Sequence, residues 1–207
     1  MAEKLPLTAA VLAGGRSTRM GVDKTLVQVD GQALISRVLA AVEGVCAHLM
    51  VVTNRPEALA HAGLDARVAV HCDEVPYEGP LGGLITALAR APHEWVLAVA
   101  ADMPRVSPEV VRALWEARTR ADIVVPITEG GAEPLLALYS RRCLPVAREV
   151  FGSGRRRLVA LFPHLRVVEY PLEALRRLDP ELKSFLNINT PDDLARAREG
   201  REPAPSE

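Results

Sequence analysis

The chain has 207 residues, enough for one domain with a full core, and 49% of them are hydrophobic. A formal net charge of −1 excludes a basic nucleic-acid footprint at whole-chain level, and no run of about 18 apolar residues marks a helical membrane span. Cys46, Cys72 and Cys143 are odd in number, far apart and without a CxxC pair, so they read as free thiols in a reducing compartment. The N-terminus does not resemble a signal peptide, and a cytoplasmic protein is expected.

Short apolar runs alternate with longer periodic segments. Strands are predicted at Leu7–Ala13, His48–Thr53, Arg67–Cys72, Trp95–Ala101, Asp122–Thr128, Leu135–Tyr139, Arg166–Tyr170 and Phe185–Ile188. Helices are predicted at Ala33–Val42, Pro56–Ala62, Leu81–Ala91, Pro108–Arg120, Leu144–Phe151, Arg156–Phe162 and Pro191–Glu199. Ser107-Pro108-Glu109 and Thr190-Pro191-Asp192 carry helix-start signals: a capping hydroxyl, a proline and an early acid. The regular βαβα alternation of the first half predicts a three-layer αβα fold with a mostly parallel, Rossmann-like twisted sheet. Its early strands are almost continuously apolar, as strands covered on both faces should be. Glu129-Gly130-Gly131 reads as a turn between strands, so some antiparallel pairing is expected in the second half. Residues 1–199 read as a single domain, and 200–207 (GREPAPSE) as a disordered polar tail.

The stretch after the first strand is LAGGRSTRMGVDK, Leu12 to Lys24. Gly14 and Gly15 let the backbone approach a ligand closely, and successive N–H groups there can point at an anion. Arg19 and Lys24 add two cations within ten residues. Such a loop suits a di- or triphosphate, although glycines alone are equally at home in a tight turn. Only three of the 25 basic residues are lysine, which singles out Lys24 in an arginine-rich chain.

Two acids close predicted strands: Asp73 after RVAVHC and Asp102 after WVLAVAA. In an open α/β sheet, ligands gather at the carboxyl ends of strands, and a carboxylate there can hold a magnesium ion together with a nucleotide. Aspartate is also common in ordinary turns. In Gly79-Pro80-Leu81-Gly82-Gly83 the glycines leave the first turn of a helix bare, suited to a base or ribose or to close helix–sheet packing. No HExxH or GxSxG motif is present, which leaves hydrolytic chemistry without its usual groups. The glycine spacing is wrong for a dinucleotide fold, and the second strand ends in Thr53-Asn54 rather than an acid.

The blocks LAGGRSTRMGVDKTLVQVDGQAL, VVTNRP, D-x5-GPLGGL, ADMP, EPLLALYS and FLNINTPDDL together resemble the molybdenum cofactor guanylyltransferase family, nearly end to end. The first block marks the nucleotidyltransferase superfamily, and the last favours this subgroup. The resemblance implies a magnesium-dependent enzyme that joins GMP from GTP to the terminal phosphate of a molybdenum-carrying molybdopterin and releases pyrophosphate. It implies nucleotide contacts from Leu12, Ala13, Gly14, Asn54, Asp73 and Gly82, with Gly15 shaping the loop. Lys24 would bind phosphates, Arg19 would assist the leaving pyrophosphate, and Asp102 would ligate magnesium. Asn187 and Asn189 would face the acceptor, and Arg105 and the Arg155-Arg156-Arg157 run, which the resemblance does not assign, could help bind an anionic acceptor. Asn189 is also a candidate cap of the last helix, and the arginines are also ordinary surface residues. Arg105 stands where relatives more often carry an apolar residue. The implied partners are proteins that supply molybdopterin and apo-molybdoenzymes that receive the product. The nearest alternatives are a sister cytidylyltransferase acting on molybdopterin, a guanylyltransferase acting on cobinamide phosphate, and an idle nucleotide-binding protein on the same fold. Gly14-Gly15 points away from the cytidylyl relatives, which tend to have Ala-Gly.

Overall fold

The computed structural model describes residues 3–14, 28–29, 32–59, 62–74, 79–188 and 193. A central sheet runs in the order β5 (Ala69–Cys72), β4 (Cys46–Thr53), β1 (Leu5–Ala13), β6 (Trp95–Ala100), β9 (Leu136–Ser140), β7 (Ile123–Thr128), β10 (Val167–Tyr170). The pairs β5–β4, β4–β1, β1–β6 and β7–β10 are parallel. Only β9 runs against its two neighbours, β6 and β7. β8 (Gly131–Ala132) closes a hairpin on β7, as the Gly130-Gly131 turn predicts. β2 (Gln28–Val29) and β3 (Gln32–Ala33) form a separate two-stranded ribbon that the sequence reading missed.

The strands alternate their side chains between two cores. Leu7, Ala9 and Val11 of β1 face one core with Leu97 and Val99 of β6. There they meet Ile35, Val38 and Val42 of α1 (Leu34–Glu43), Val110, Val111 and Leu114 of α4 (Pro108–Glu116), and Leu175 of α6 (Leu172–Leu178). Ala10, Val96 and Ala98 face the other core with Leu81, Leu84 and Leu88 of α3 (Pro80–Arg90) and Ala147 and Val150 of α5 (Cys143–Gly152). Each large aliphatic side chain buried in this way stabilises the fold by about 1.5–3 kcal/mol. The small alanines on β1 and β6 let helices lie close to the middle of the sheet.

The chain lays β4 and then β5 on one side of β1, then crosses back through α3 to place β6 on the other side. The strand order therefore reverses at β1, between β4 and β6. A crevice opens at such a reversal, outside the carboxyl ends of the strands.

Several predicted elements differ. Phe185–Ile188 is not a strand: Lys183–Phe185 is a single 3-10 turn, held by the Asp179 carboxylate, which accepts from the backbone N–H groups of Lys183 (3.0 Å) and Ser184 (2.7 Å). The segment predicted as a helix at Arg156–Phe162 is a 3-10 helix shifted to Leu158–His164. α6, after Pro171, was missed. Of the helix expected at Pro56–Ala62, Pro56–Leu59 (α2) is helical and residues 60–61 lie outside the described residues; the strand expected from Arg67 begins at Ala69. The expected last helix, Pro191–Glu199, and the tail lie outside the described residues except for Asp193, which is helical and buried.

Candidate active site

Register aligns the candidates. Ala13 of β1 is level with Thr53 of β4, and Thr53 with Cys72 of β5. One residue further on, Gly14, Asn54 and Asp73 therefore stand side by side. Leu12 is level with Ala100 of β6, so two residues further on Asp102 is set against Gly14. Four sequence-distant residues thus reach one edge because four parallel strands end together.

Hydrogen bonds fasten the four ends. The Asp73 N–H donates to the Thr53 carbonyl at 3.0 Å, and the Ala101 N–H to the Leu12 carbonyl at 3.3 Å. The Thr53 hydroxyl donates to the Ala13 carbonyl at 3.4 Å and accepts from the Arg55 N–H at 3.1 Å. The Asn54 amide donates to the Gly14 carbonyl at 2.7 Å, which aims its side chain across the mouth of β1.

Asp73 is buried, with 6% exposure, over the first turn of α3. A Cβ built on Gly82 would stand 3.6 Å from both Asp73 carboxylate oxygens, and one on Gly83 would stand 3.8 Å from Oδ2. These glycines admit the carboxylate at the helix N-terminus, where the peptide dipoles favour negative charge. One residue that the sequence reading left without a role completes this corner: Thr86, whose hydroxyl lies 3.1 Å from Asp73 Oδ1. Thr86 is the polar exception in the buried run Leu81–Leu88, a signal present in the sequence.

Asp102 is half-buried beyond β6. Its carbonyl accepts from the Ile188 N–H at 3.0 Å, which brings the segment after the last 3-10 turn alongside it. Asn187 is in that segment, and its Oδ1 is buried without a hydrogen-bond partner among the described residues. Arg105 is half-buried in the turn between β6 and α4. Glu133, unassigned in the sequence reading, is half-buried next to β9 at the same edge. It accepts from the Thr128 hydroxyl at 2.9 Å, and burial pushes its carboxyl above the usual range while that bond pulls it down.

Arg156 lies elsewhere on the rim. Its carbonyl accepts from the Leu81 N–H at 3.2 Å, capping the start of α3, and its guanidinium stacks 4.1 Å from the centre of the Phe151 ring. It also donates to the Phe151 carbonyl at 2.9 Å. Leu12 and Ala13 are half-buried at the end of β1. Gly15, Arg19, Lys24 and Asn189 lie outside the described residues.

Gly14, Asn54, Asp73 and Asp102 thus line a strand-order reversal, the place where ligands gather in open α/β sheets. The family described as MobA-like NTP transferase domain matches residues 9–169. The chain belongs to this family. As a MobA-like nucleotidyltransferase it is 37% identical over 193 residues to a protein from Desulfosudis oleivorans named molybdenum cofactor guanylyltransferase, covering 92% of this chain and 94% of that one. A protein from Chloroflexus aggregans, named probable molybdenum cofactor guanylyltransferase, is 36% identical over 194 residues, with 91% of each chain covered. The solved structure of molybdopterin-guanine dinucleotide biosynthesis protein A from Archaeoglobus fulgidus superimposes with a TM-score of 0.79 at 33% identity, covering 93% of this chain and 97% of that one. The MobA-like match runs from β1 into β10, so it spans all four strand ends that build the edge.

Proposed function

We propose that this protein transfers GMP from GTP to the terminal phosphate of a molybdenum-carrying molybdopterin, making the guanine dinucleotide form of the cofactor. The observation that carries the reading is the single level of Gly14, Asn54, Asp73 and Asp102 along the carboxyl edge, where the glycine-rich stretch Leu12–Lys24 begins. The names of its relatives support the nucleotide and the acceptor.

In this reaction an oxygen of the acceptor phosphate attacks the α-phosphorus of GTP. A new P–O bond forms, the α–β bridge breaks, and pyrophosphate leaves with the electron pair. A phosphate needs little deprotonation to attack, so positioning and charge neutralisation carry the step. Asn54 and Asp73 hold the nucleoside beside Gly14, and the bare first turn of α3 gives it room. Arg19 and Lys24 take the phosphates and the leaving pyrophosphate, and Asn187 and Asn189 face the acceptor with Arg105 and Arg156 on the rim.

Magnesium is the expected cofactor, and the residues suit it. Magnesium takes hard oxygen ligands, often one or two carboxylates plus substrate phosphates. Asp102 supplies a half-buried carboxylate, and the unpartnered Asn187 Oδ1 lies in the segment bonded to the Asp102 carbonyl. Among the described residues no cluster of three or more His, Cys, Asp or Glu forms a dedicated metal cage, which fits an ion shared with the nucleotide. When bound, the ion neutralises phosphate charge as it builds on the leaving group. No helix among the described residues is long and apolar enough to cross a membrane. The cytoplasm remains the expected compartment, with molybdopterin-supplying proteins and apo-molybdoenzymes as partners.

The test is calorimetric titration with GTP, CTP, ATP and UTP in magnesium, followed by turnover with the molybdopterin acceptor. Selective GTP binding that Lys24→Ala abolishes, and turnover that Asp102→Asn abolishes without unfolding, are expected. A CTP preference would replace this reading with the cytidylyl one. Binding without turnover on the acceptor would replace it with another acceptor or an idle site.

A further inference from the structure

We infer that Thr86 is a positioning residue for the nucleotide: it fixes the Asp73 carboxylate as a hydrogen-bond acceptor aimed at the nucleoside. The inference rests on the reading of Asp73 as a nucleotide contact.

Thr86 is 1% exposed, in the second turn of α3. Its oxygen has three neighbours. It accepts from the Glu74 backbone N–H at 3.1 Å, lies 3.1 Å from Asp73 Oδ1, and lies 3.3 Å from the Gly82 carbonyl. The hydroxyl has one proton for two acceptors. The carboxylate is the charged and nearer one, and charge-assisted bonds are about twice as strong as neutral ones. Giving the proton to Gly82 instead would leave two oxygens facing each other at 3.1 Å inside the protein. The proton therefore goes to Asp73 Oδ1.

Three consequences follow from the packing. The Asp73 backbone is already pinned by its N–H bond to Thr53, so the Thr86 bond leaves its side chain little freedom. With Oδ1 bonded to Thr86, Oδ2 sits between the end of β1 and the bare first turn of α3, 3.7 Å from where a Cβ of Gly14 would stand and 3.6 and 3.8 Å from where those of Gly82 and Gly83 would stand. A carboxylate that accepts a hydrogen bond from Thr86 stays ionised and acceptor-only, so it reads hydrogen-bond donors. A nucleoside offers these in two places, the ribose hydroxyls and the amino–imino edge of guanine. Thr86 also ties Glu74, and so the chain leaving β5, to the helix that supplies Gly82 and Gly83. It links strand end, helix and carboxylate through one buried oxygen.

The experiment compares GTP binding with magnesium, and turnover at saturating GTP, for wild type, Thr86→Val, Thr86→Ser, Asp73→Asn and the Thr86→Val/Asp73→Asn double variant. Thr86→Val keeps the side-chain shape and removes the hydroxyl, and is expected to weaken GTP binding about tenfold, the size of one lost hydrogen bond to a charged group. Turnover at saturating GTP should stay within about twofold. Thr86→Ser should restore binding, and Thr86→Val should add little once Asp73 is Asn. Inosine triphosphate lacks the 2-amino donor and 2′-deoxy-GTP lacks a ribose donor. The analogue whose disadvantage shrinks in Thr86→Val identifies the donor that Asp73 takes. If Asp73→Asn leaves GTP binding unchanged, the nucleotide role of Asp73 fails. If Asp73→Asn weakens binding while Thr86→Val does not, or Thr86→Val costs the same in both backgrounds, the positioning role of Thr86 is overturned. Should Thr86→Val not fold, Thr86→Ala removes the same hydroxyl without placing a methyl beside the carboxylate, and the same comparisons apply.

Discussion

Replacing Gly14 by Ala isolates the contact that aims Asn54. The added Cβ would stand 3.0 Å from Asn54 Nδ2, closer than side chains pack, whereas Asp73 Oδ2 at 3.7 Å is an ordinary contact. Gly14 does not have a positive φ, so alanine meets no backbone strain there. The cost must come from Asn54, which has to give by a few tenths of an ångström and so weakens or loses its 2.7 Å bond to the Gly14 carbonyl. That bond is worth about 0.5–1.5 kcal/mol of stability. In a chain of this size the loss lowers the melting temperature by about 2–4 °C per kcal/mol. If Asn54 contacts the nucleotide as proposed, the same displacement weakens GTP binding by about tenfold, the size of one lost hydrogen bond. The assay is a double-mutant cycle on melting temperature and on GTP affinity, with Gly14→Ala, Asn54→Ala and both together. Once Asn54 is truncated the clash partner is gone, so Gly14→Ala should then cost little. Equal penalties in both backgrounds would refute the reasoning and assign the glycine requirement to the close approach of the ligand itself.

Gly79→Ala tests the corner that carries Asp73. Gly79 has φ +88° and ψ 178°, and a Cβ there would meet Arg156 Cβ at 3.3 Å. Backbone strain of about 1–3 kcal/mol is expected, hence a melting point lower by several degrees; an unchanged melt would mean the loop relaxes freely. Stability should fall on mild acidification, because burial and nearby positive charge hold His48 and His71 below the ordinary histidine value of 6.5. The unfolded chain then takes up protons that the folded chain resists, so stability is full above the unfolded value and drops as pH falls below it. Denaturant midpoints measured across that window should flatten in His48→Gln/His71→Gln, and a wild-type midpoint that does not move would contradict this. Cys72 is exposed, whereas burial pushes the Cys46 and Cys143 thiols up to about 12. Iodoacetamide should therefore label the native protein once, at Cys72; comparable labelling of Cys46 or Cys143 by mass spectrometry would show that the core opens.

Much of the site was readable from local pattern. The strands β1, β4 and β6 are nearly continuous apolar runs, because both of their faces are covered, and each ends in the small or polar residues that mark its carboxyl end. That placed Gly14, Asn54, Asp73 and Asp102 at strand ends. Phe185–Ile188 misled because its apolar residues suggest a strand, while the Asp179 carboxylate captures the N–H groups of Lys183 and Ser184 and winds the chain into a turn. Arg156 was legible only as a charge. Its carbonyl cap on α3 and its stacking on Phe151 depend on α5 packing against α3.

The sequence by itself determined most element types of the first half, the βαβα order, and which residues close its strands, since period and turn chemistry are local properties. It also determined the family, because the motif blocks are written along one chain. Only the tertiary structure decided that Gly14, Asn54, Asp73 and Asp102 stand at one level, that Thr86 reaches Asp73, and that Glu133 and Asn187 lie on the same edge. Those facts depend on register between strands and on how helices dock across the sheet. Both are set by burial shared among residues far apart in the chain, and no single segment records them.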